Sequence, residues 1–245
     1  MPTLVLSPRY TADSIALWKS AIALHWEVTR LPNWRVTEQI DDPVIYGEPL
    51  FARAIAERLS VKLLDPDADW LATLPIDYLK RQVLCTTLAE ARKITTTKFI
   101  KPAADKSFQA QIYQSGKQLP IIEALSDDTP VLVSEPVTWE IEFRCFIQKR
   151  TLRAISSYWS NGCSTERADG SWYATESEYS QAAAFCTEVI NNPQVKLPDA
   201  VVVDVGKIAD WGWAAIEANS VYSSGLYGCD PIAVLKVLET GTRSI

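Results

Sequence analysis

Apolar residues along this chain come in two rhythms, and the rhythm changes about a third of the way in. Residues 3–7 (TLVLS) form a short apolar run closed by Pro8, the pattern of a buried strand. After the polar lead Thr11-Ala-Asp-Ser, apolar positions at 15, 18, 22 and 26 fall at helical spacing and predict a helix over 15–26. Residues 34–36 and 43–46 (PVIY) read as short strands. Residues 48–59 read as a helix with Leu50, Ala54, Ile55 and Leu59 on one face, and 61–64 (VKLL) as a third strand. Residues 75–93 read as a helix that opens on a proline. Strands alternating with helices predict a small parallel α/β unit.

The texture changes near Thr95. Residues 98–100, 109–113, 131–134, 139–147 and 151–159 read as strands with few helical signals between them, and the turn at 148–150 makes the last two a hairpin. Residues 178–190 predict a helix stopped by Asn191-Asn192-Pro193. Two further strands, 200–205 and 213–218, are joined by a connection short enough for an antiparallel pair, and 231–238 predicts a terminal helix. The fold class expected is α/β followed by α+β with antiparallel sheets. The predicted division is 1–92 and 93–245, the second part splitting into a smaller unit, 93–134, and a larger one, 135–245.

Composition narrows the chemistry. With 245 residues, 47% of them hydrophobic, the chain has room for one or two packed domains. A formal charge of −6 and a pI near 5.0 argue against a nucleic-acid binder that works by neutralising phosphates. No apolar run approaches the roughly 18–20 residues needed to span a bilayer, so no membrane partner is expected. The start, MPTLVLSPRY, lacks a basic segment followed by an apolar one, so a cytoplasmic protein is expected. The five cysteines are scattered without a CxxC and read as reduced thiols. The single histidine, His25, excludes two-histidine metal sites and leaves only one imidazole for any triad. Its context, SAIALHWEV, is the apolar end of a helix, where a histidine packs or is solvated.

What remains is oxygen and cation chemistry. Asp204 ends the run AVVVD, and Glu217 and Asn219 lie two apart in AAIEAN, on one face of a strand. If the two strands pair, Asp204 joins them, and two carboxylates with an amide oxygen suit Mg2+ and not zinc. The alternative is a solvated polar strand face. Lys101 ends the run KFIKP, where a strand-end lysine binds phosphate or is simply solvated. Residues 131–134 run into Glu135, Pro136 and Val137, an acidic, proline-broken linker whose backbone can face an adenine edge. Glu142 can accept from ribose hydroxyls. Arg144 shares a strand face with it, and Arg153 lies on the next strand. Surface ion pairs of little energetic weight are the plain alternative.

Taken in order, Lys-Pro after a strand, an acidic hinge, Glu-Phe, Asp, then Glu-x-Asn resembles the ATP-grasp superfamily, which includes D-alanine–D-alanine ligase. Glu142 follows Glu135 by seven positions, Glu217 follows Asp204 by thirteen and Asn219 follows Glu217 by two, spacings similar to that superfamily's. WEIEFR, VVVDVG and IEANSVYSSGLYGCDP look like the blocks of the clade named for two arginines and one lysine, with Lys101, Arg144 and Arg153 as the candidates for those three. The resemblance covers residues 93 to about 240, and 1–92 look like the small α/β domain that precedes such a fold.

It implies an ATP- and Mg2+-dependent carboxylate–amine ligase working through an acylphosphate, on small-molecule or peptide carboxylate and amine substrates. Asp204, Glu217 and Asn219 would hold Mg2+, and Lys101 an ATP phosphate. Glu135, Pro136 and Val137 would hold adenine and Glu142 the ribose, with Arg144 and Arg153 as catalytic cations. The loop 220–229 would line the acceptor site. A kinase on the same fold and a nucleotide-binding module without turnover are the alternatives. Three departures stand out. The stretch AADKSFQAQ has no glycine where the superfamily has a Gly-rich loop, leaving Lys106 and Ser107 as its phosphate candidates. Lys80, Arg81 and Arg92 are all candidates for an earlier ATP-binding cation. Val202 stands where the ligases commonly have an arginine.

Overall fold

The computed structural model describes residues 1–104 and 106–244. Its first unit is a three-stranded parallel sheet in which β1 (Thr3–Leu6) lies between β2 (Glu27–Arg30) and β3 (Pro43–Tyr46). Every residue of β1 is buried, as a central parallel strand covered on both faces requires. Helix α1 (Ala12–Ala23) starts at a reciprocal capping box between Thr11 and Ser14. It stops where His25 takes a left-handed conformation, φ 60°. His25 is exposed there, a helix-terminating residue. Helix α2 (Pro49–Arg58) follows β3, with proline in its first turn.

Three expectations give way. Residues 34–36 lie in an irregular stretch, and the strand is instead β2, EVTR, directly after α1. Among the described residues only β1 pairs with β2, and its half-exposed residues carry little apolar signal. β4 (Val61–Leu63) forms, but pairs antiparallel with β14 (Thr242–Ser244) at the far end of the chain. Residues 75–93 are not one helix. They divide into α3 (Ile76–Leu79), β5 (Val83–Thr87) and α4 (Leu88–Arg92). Lys80 at φ 54° ends the first turn, and VLCTT pairs along its length with β8 (Pro130–Ser134). β-branched residues and a sheet edge to fill outweigh the helical spacing there.

β5 therefore opens a four-stranded sheet with β8, β6 (Lys98–Pro102) and β7 (Gln111–Tyr113), in the order β5-β8-β6-β7. β5 and α4 precede residue 93, so this sheet draws on chain from both sides of that position. The larger sheet is built from β9 (Trp139–Gln148), β10 (Thr151–Ser160), β11 (Cys163–Ser164), β12 (Ala200–Ile208) and β13 (Gly212–Asn219), in the order β11-β10-β9-β12-β13. Its neighbouring strands are all antiparallel, and the hairpin turn at 149–150 has both residues at positive φ.

The larger sheet is covered on both faces. Phe143, Cys145 and Ile147 of β9 and Val201, Val203 and Val205 of β12 pack toward α5 (Glu176–Asn191). Phe146, Ala200 and Val202 face the other way and join a core that contains Leu4, Leu17, Ile45 and Ile55 together with Val234, Leu235 and Leu238 of α6 (Pro231–Gly241). The C-terminal helix thus packs between the parallel sheet and the larger sheet. The first sixty residues and the last forty share one apolar core, which holds the parallel sheet in place beside the larger sheet. Among the described residues no helix is long and apolar enough to cross a membrane.

Candidate active site

Strand parity builds the site. Phe143, Cys145 and Ile147 take one face of β9, so Glu142 and Arg144 lie on the other, beside Phe146. On β12 the same rule puts Asp204 in line with Val202. Register then sets Asp204 opposite Arg144 on one side and opposite Glu217 on the other, with Asn219 opposite Val202. A bulge between Asp204 and Val205 in the β12–β13 pairing shifts the ladder there. On β6, Ile100 points into the smaller sheet's own core, so Lys101 points away from it toward the larger sheet.

The side chains converge. Arg144 grips Asp204 with two bonds, Nε to Oδ1 at 3.0 Å and Nη2 to Oδ2 at 2.7 Å. The Lys101 ammonium makes a short ion pair with Glu217, a contact that bridges the two sheets. Asn219 Nδ2 donates to Glu217 Oε1 at 2.8 Å and to Asp204 Oδ2 at 3.4 Å. Glu142 Oε2 accepts from Tyr158 Oη at 2.5 Å. Tyr158 stacks on Tyr227 with centroids 5.0 Å apart, and the Arg144 guanidinium lies 4.6 Å from the Tyr227 ring centre. Trp172 packs edge-on against Tyr227. It also fills the space above Gly228, where a Cβ would come 2.3 Å from the indole.

Electrostatics separate the members. Asp204 is completely buried, and burial pushes its carboxyl up from the ordinary value while Arg144 pulls against it. Burial also works against the charged form of Arg144, but the facing carboxylate outweighs it and holds the guanidinium more firmly protonated than usual. Burial pushes Glu217 up as well; there Lys101, Asn219 and Arg144 win and bring its pKa to about 2. Burial raises Glu142, with the Tyr158 hydroxyl opposing.

These residues fit a hard divalent cation by donor chemistry. Two carboxylates and an amide meet on one sheet surface, and half a turn of the Asn219 amide presents its oxygen in place of its nitrogen. Arg144 and Lys101 supply the positive charge that two adjacent carboxylates require. Among the described residues no cluster of three or more His, Cys, Asp or Glu offers a metal site, and the candidate set here has two acids and an amide.

The other predicted residues are placed as follows. Glu135 follows β8, where its carboxylate accepts from the Gln82 N–H at 2.9 Å and its own N–H donates to the Gln82 carbonyl. Pro136 is exposed and Val137 half-buried in the crossing from the smaller to the larger sheet. Arg153 is exposed at a bulge of β10 and is not gathered with Arg144, Asp204 and Glu217. Lys106 is exposed, while Phe108 anchors that loop in the smaller core. Of the early cations, Lys80 is exposed and Arg92 pairs with Asp127 at 2.5 Å. Arg81 is buried, donating to the carbonyls of Leu79 and Ala215 and lying 4.9 Å from the centre of the Trp139 ring. Burial lowers its pKa to about 10.

Sequence reasoning missed the Arg144–Asp204 pairing and Tyr158. Strand parity from Glu142 flags Arg144's face, but only the strand order brings Asp204 opposite it. It also missed Asp13, whose carboxylate accepts from the Leu226 N–H at 3.1 Å.

The fold has known counterparts. A family model for an ATP-grasp domain, family 2 of the clade named for two arginines and one lysine, matches residues 78–237. The D-cycloserine synthetase DcsG superposes with a TM-score of 0.57 at 14% identity, over 97% of this chain and 98% of that one. A RimK domain ATP-grasp protein from Sphaerobacter thermophilus gives 0.54 at 14%, over 98% of each chain. A D-alanine–D-alanine ligase from Bacillus anthracis gives 0.52 at 13%, over 98% of this chain and 95% of that one. No curated protein sequence matches the chain. The sheets, the order of the polar residues along them and the family match lead to one conclusion: this chain belongs to the ATP-grasp superfamily, in family 2 of its two-arginine, one-lysine clade.

Proposed function

We propose that this protein is an ATP- and Mg2+-dependent ligase that joins a carboxylate to an amine through an acylphosphate, on small-molecule or peptide substrates. One observation carries the reading. Lys101 from the smaller sheet and Asp204, Glu217 and Asn219 from the larger meet at the boundary between the two sheets, in a chain of the ATP-grasp family. The names of the fold relatives, a D-alanine–D-alanine ligase and a D-cycloserine synthetase, agree with it.

In this reading Asp204, Glu217 and Asn219 would hold Mg2+, which would supply charge neutralisation for the ATP phosphates. Lys101 turns from Glu217 to a phosphate oxygen. The 135–137 backbone meets the adenine edge, and Glu142, raised by burial, offers an acceptor to ribose in place of the Tyr158 hydroxyl. A substrate carboxylate oxygen attacks the γ-phosphorus and ADP leaves; the amine nitrogen then attacks the acyl carbon and phosphate leaves. Neither step needs an imidazole. Both need fixed positive charge, and Arg144 supplies it, held in orientation by Asp204 on one side and the Gly225 carbonyl on the other.

The test is ADP formation with ATP, Mg2+ and a panel of amino acids and peptides, with product masses. Loss of water between two substrates is expected. Gain of phosphate on one substrate would indicate a kinase, and nucleotide binding without ADP a module that does not turn over. Unchanged ADP formation in Glu217→Ala would overturn the site.

A further inference from the structure

One peptide unit in the loop after β13 carries two opposed contacts. The Gly225 carbonyl accepts from Arg144 Nη1 at 3.1 Å, and the Leu226 N–H, part of the same planar amide, donates to Asp13 Oδ2 at 3.1 Å. A carboxylate thus sits at the positive end of the amide dipole and a guanidinium at the negative end. Each contact polarises the amide so as to strengthen the other. Arg144 goes on to grip Asp204, so a continuous series of bonds runs from the first turn of α1 to the buried carboxylate.

A Cβ at position 225 would stand at ordinary contact distance from both partners, 3.4 Å from Asp13 Oδ2 and 3.8 Å from Arg144 Nη1. The flanking residues are held from the same side. Tyr46 Oη donates to the Ser224 carbonyl at 3.1 Å, the Gly47 N–H to the Tyr222 carbonyl at 2.9 Å, and Arg53 Nε to Tyr222 Oη at 3.1 Å. Those contacts fix the loop's path. Asp13 holds the N–H of the amide whose carbonyl touches Arg144.

We propose that Asp13 is a positioning residue for Arg144, acting through the 225–226 peptide. Without its carboxylate the amide turns about the bonds of Gly225, its carbonyl leaves Arg144, and the guanidinium is left to Asp204 and the Tyr158 and Tyr227 rings. The consequence for turnover rests on the ligase reading; the geometry does not.

The experiment uses nitrogen-15 spectra of the full chain, following the Arg144 Nε–H and Leu226 N–H signals in Asp13→Ala and Asp13→Asn. In the alanine variant hydrogen-exchange protection at Leu226 is expected to fall about tenfold or more, and the Arg144 Nε–H signal to move. Asparagine retains an acceptor oxygen without the charge. It is expected to restore protection at Leu226 and to move the Arg144 signal in the same direction by less. An Arg144 signal unmoved in Asp13→Ala, with Leu226 deprotected, would show that Asp13 only clamps the loop and would overturn the proposal. If the alanine variant does not fold, an unmoved Arg144 signal in Asp13→Asn overturns it equally. Titration of the same proteins with a non-hydrolysable ATP analogue and Mg2+ reports separately on the ligase reading. Its failure in the wild-type protein would leave the spectral result standing.

Discussion

The two ion pairs at the centre of this protein have the same chemistry on paper and different surroundings. Arg144–Asp204 lies within one sheet, with side-chain exposures of 9% and 1%. Lys101–Glu217 spans two sheets, with exposures of 20% and 29%. The first is bidentate and nearly closed to solvent. The second joins a flexible lysine to a carboxylate that water reaches. A buried pair is costly to break because the survivor is left charged in a poor solvent, whereas a half-exposed pair trades partners at small cost. The inner pair is therefore part of the framework, and in the proposed function the outer pair exchanges Glu217 for a phosphate.

The largest effect that would break this contrast is on stability. Arg144→Leu strands Asp204 in the core, and a loss of about 3–5 kcal/mol in denaturant unfolding is expected. A loss under about 1 kcal/mol would place the two pairs in the same class. Lys101→Met, by contrast, should cost at most about 1 kcal/mol yet weaken binding of ATP with Mg2+ by tenfold or more, measured by calorimetry. Strong destabilisation with unchanged ATP affinity would reverse the roles of the pairs. Removing Mg2+ with a chelator should abolish ADP formation while leaving the unfolding midpoint within a few degrees, because Arg144 and Lys101 already compensate the carboxylates.

Smaller effects sharpen the boundary of the site. Arg153→Ala is expected to change stability by no more than about 0.5 kcal/mol and to keep ADP formation within about twofold, as befits an exposed bulge residue. A large fall in turnover alone would bring Arg153 to the substrate during the reaction. His25→Gly should raise stability by about 0.5–1 kcal/mol, because glycine takes the left-handed φ of 60° without strain. Any loss of ADP formation in that variant would return the imidazole to the chemistry.

What was legible follows from the range of each signal. Residues 139–147, 151–159, 200–205 and 213–218 became β9, β10, β12 and β13 because alternation and continuous apolar runs report burial from a few neighbouring residues. Strand β5 was not legible: VLCTT follows a proline and apolar spacing that fit a helix equally well, and its partner β8 lies almost fifty residues on. Strand β2 was missed because one-sided pairing leaves EVTR polar and half-exposed. The departures at 103–111 and at Val202 were visible as letters. That Arg144 grips the Asp204 carboxylate from the neighbouring strand was not.

Local signals were enough for the main strands of the larger sheet, for the shared face of Glu217 and Asn219, for Lys101 at the end of an apolar strand, and for the little room that one histidine leaves for imidazole chemistry. These depend on a two-residue period or on composition, and neither needs a partner. Only the tertiary structure decided who faces whom. Strand order put Arg144 opposite Asp204, the packing of the two sheets brought Lys101 to Glu217, and α6 joined the ends of the chain so that Asp13 reaches Leu226. The reason is physical. A charge's burial, and so its partner and its role, depends on what lies beside it in space, and for these residues that is chain 60 to more than 200 positions away.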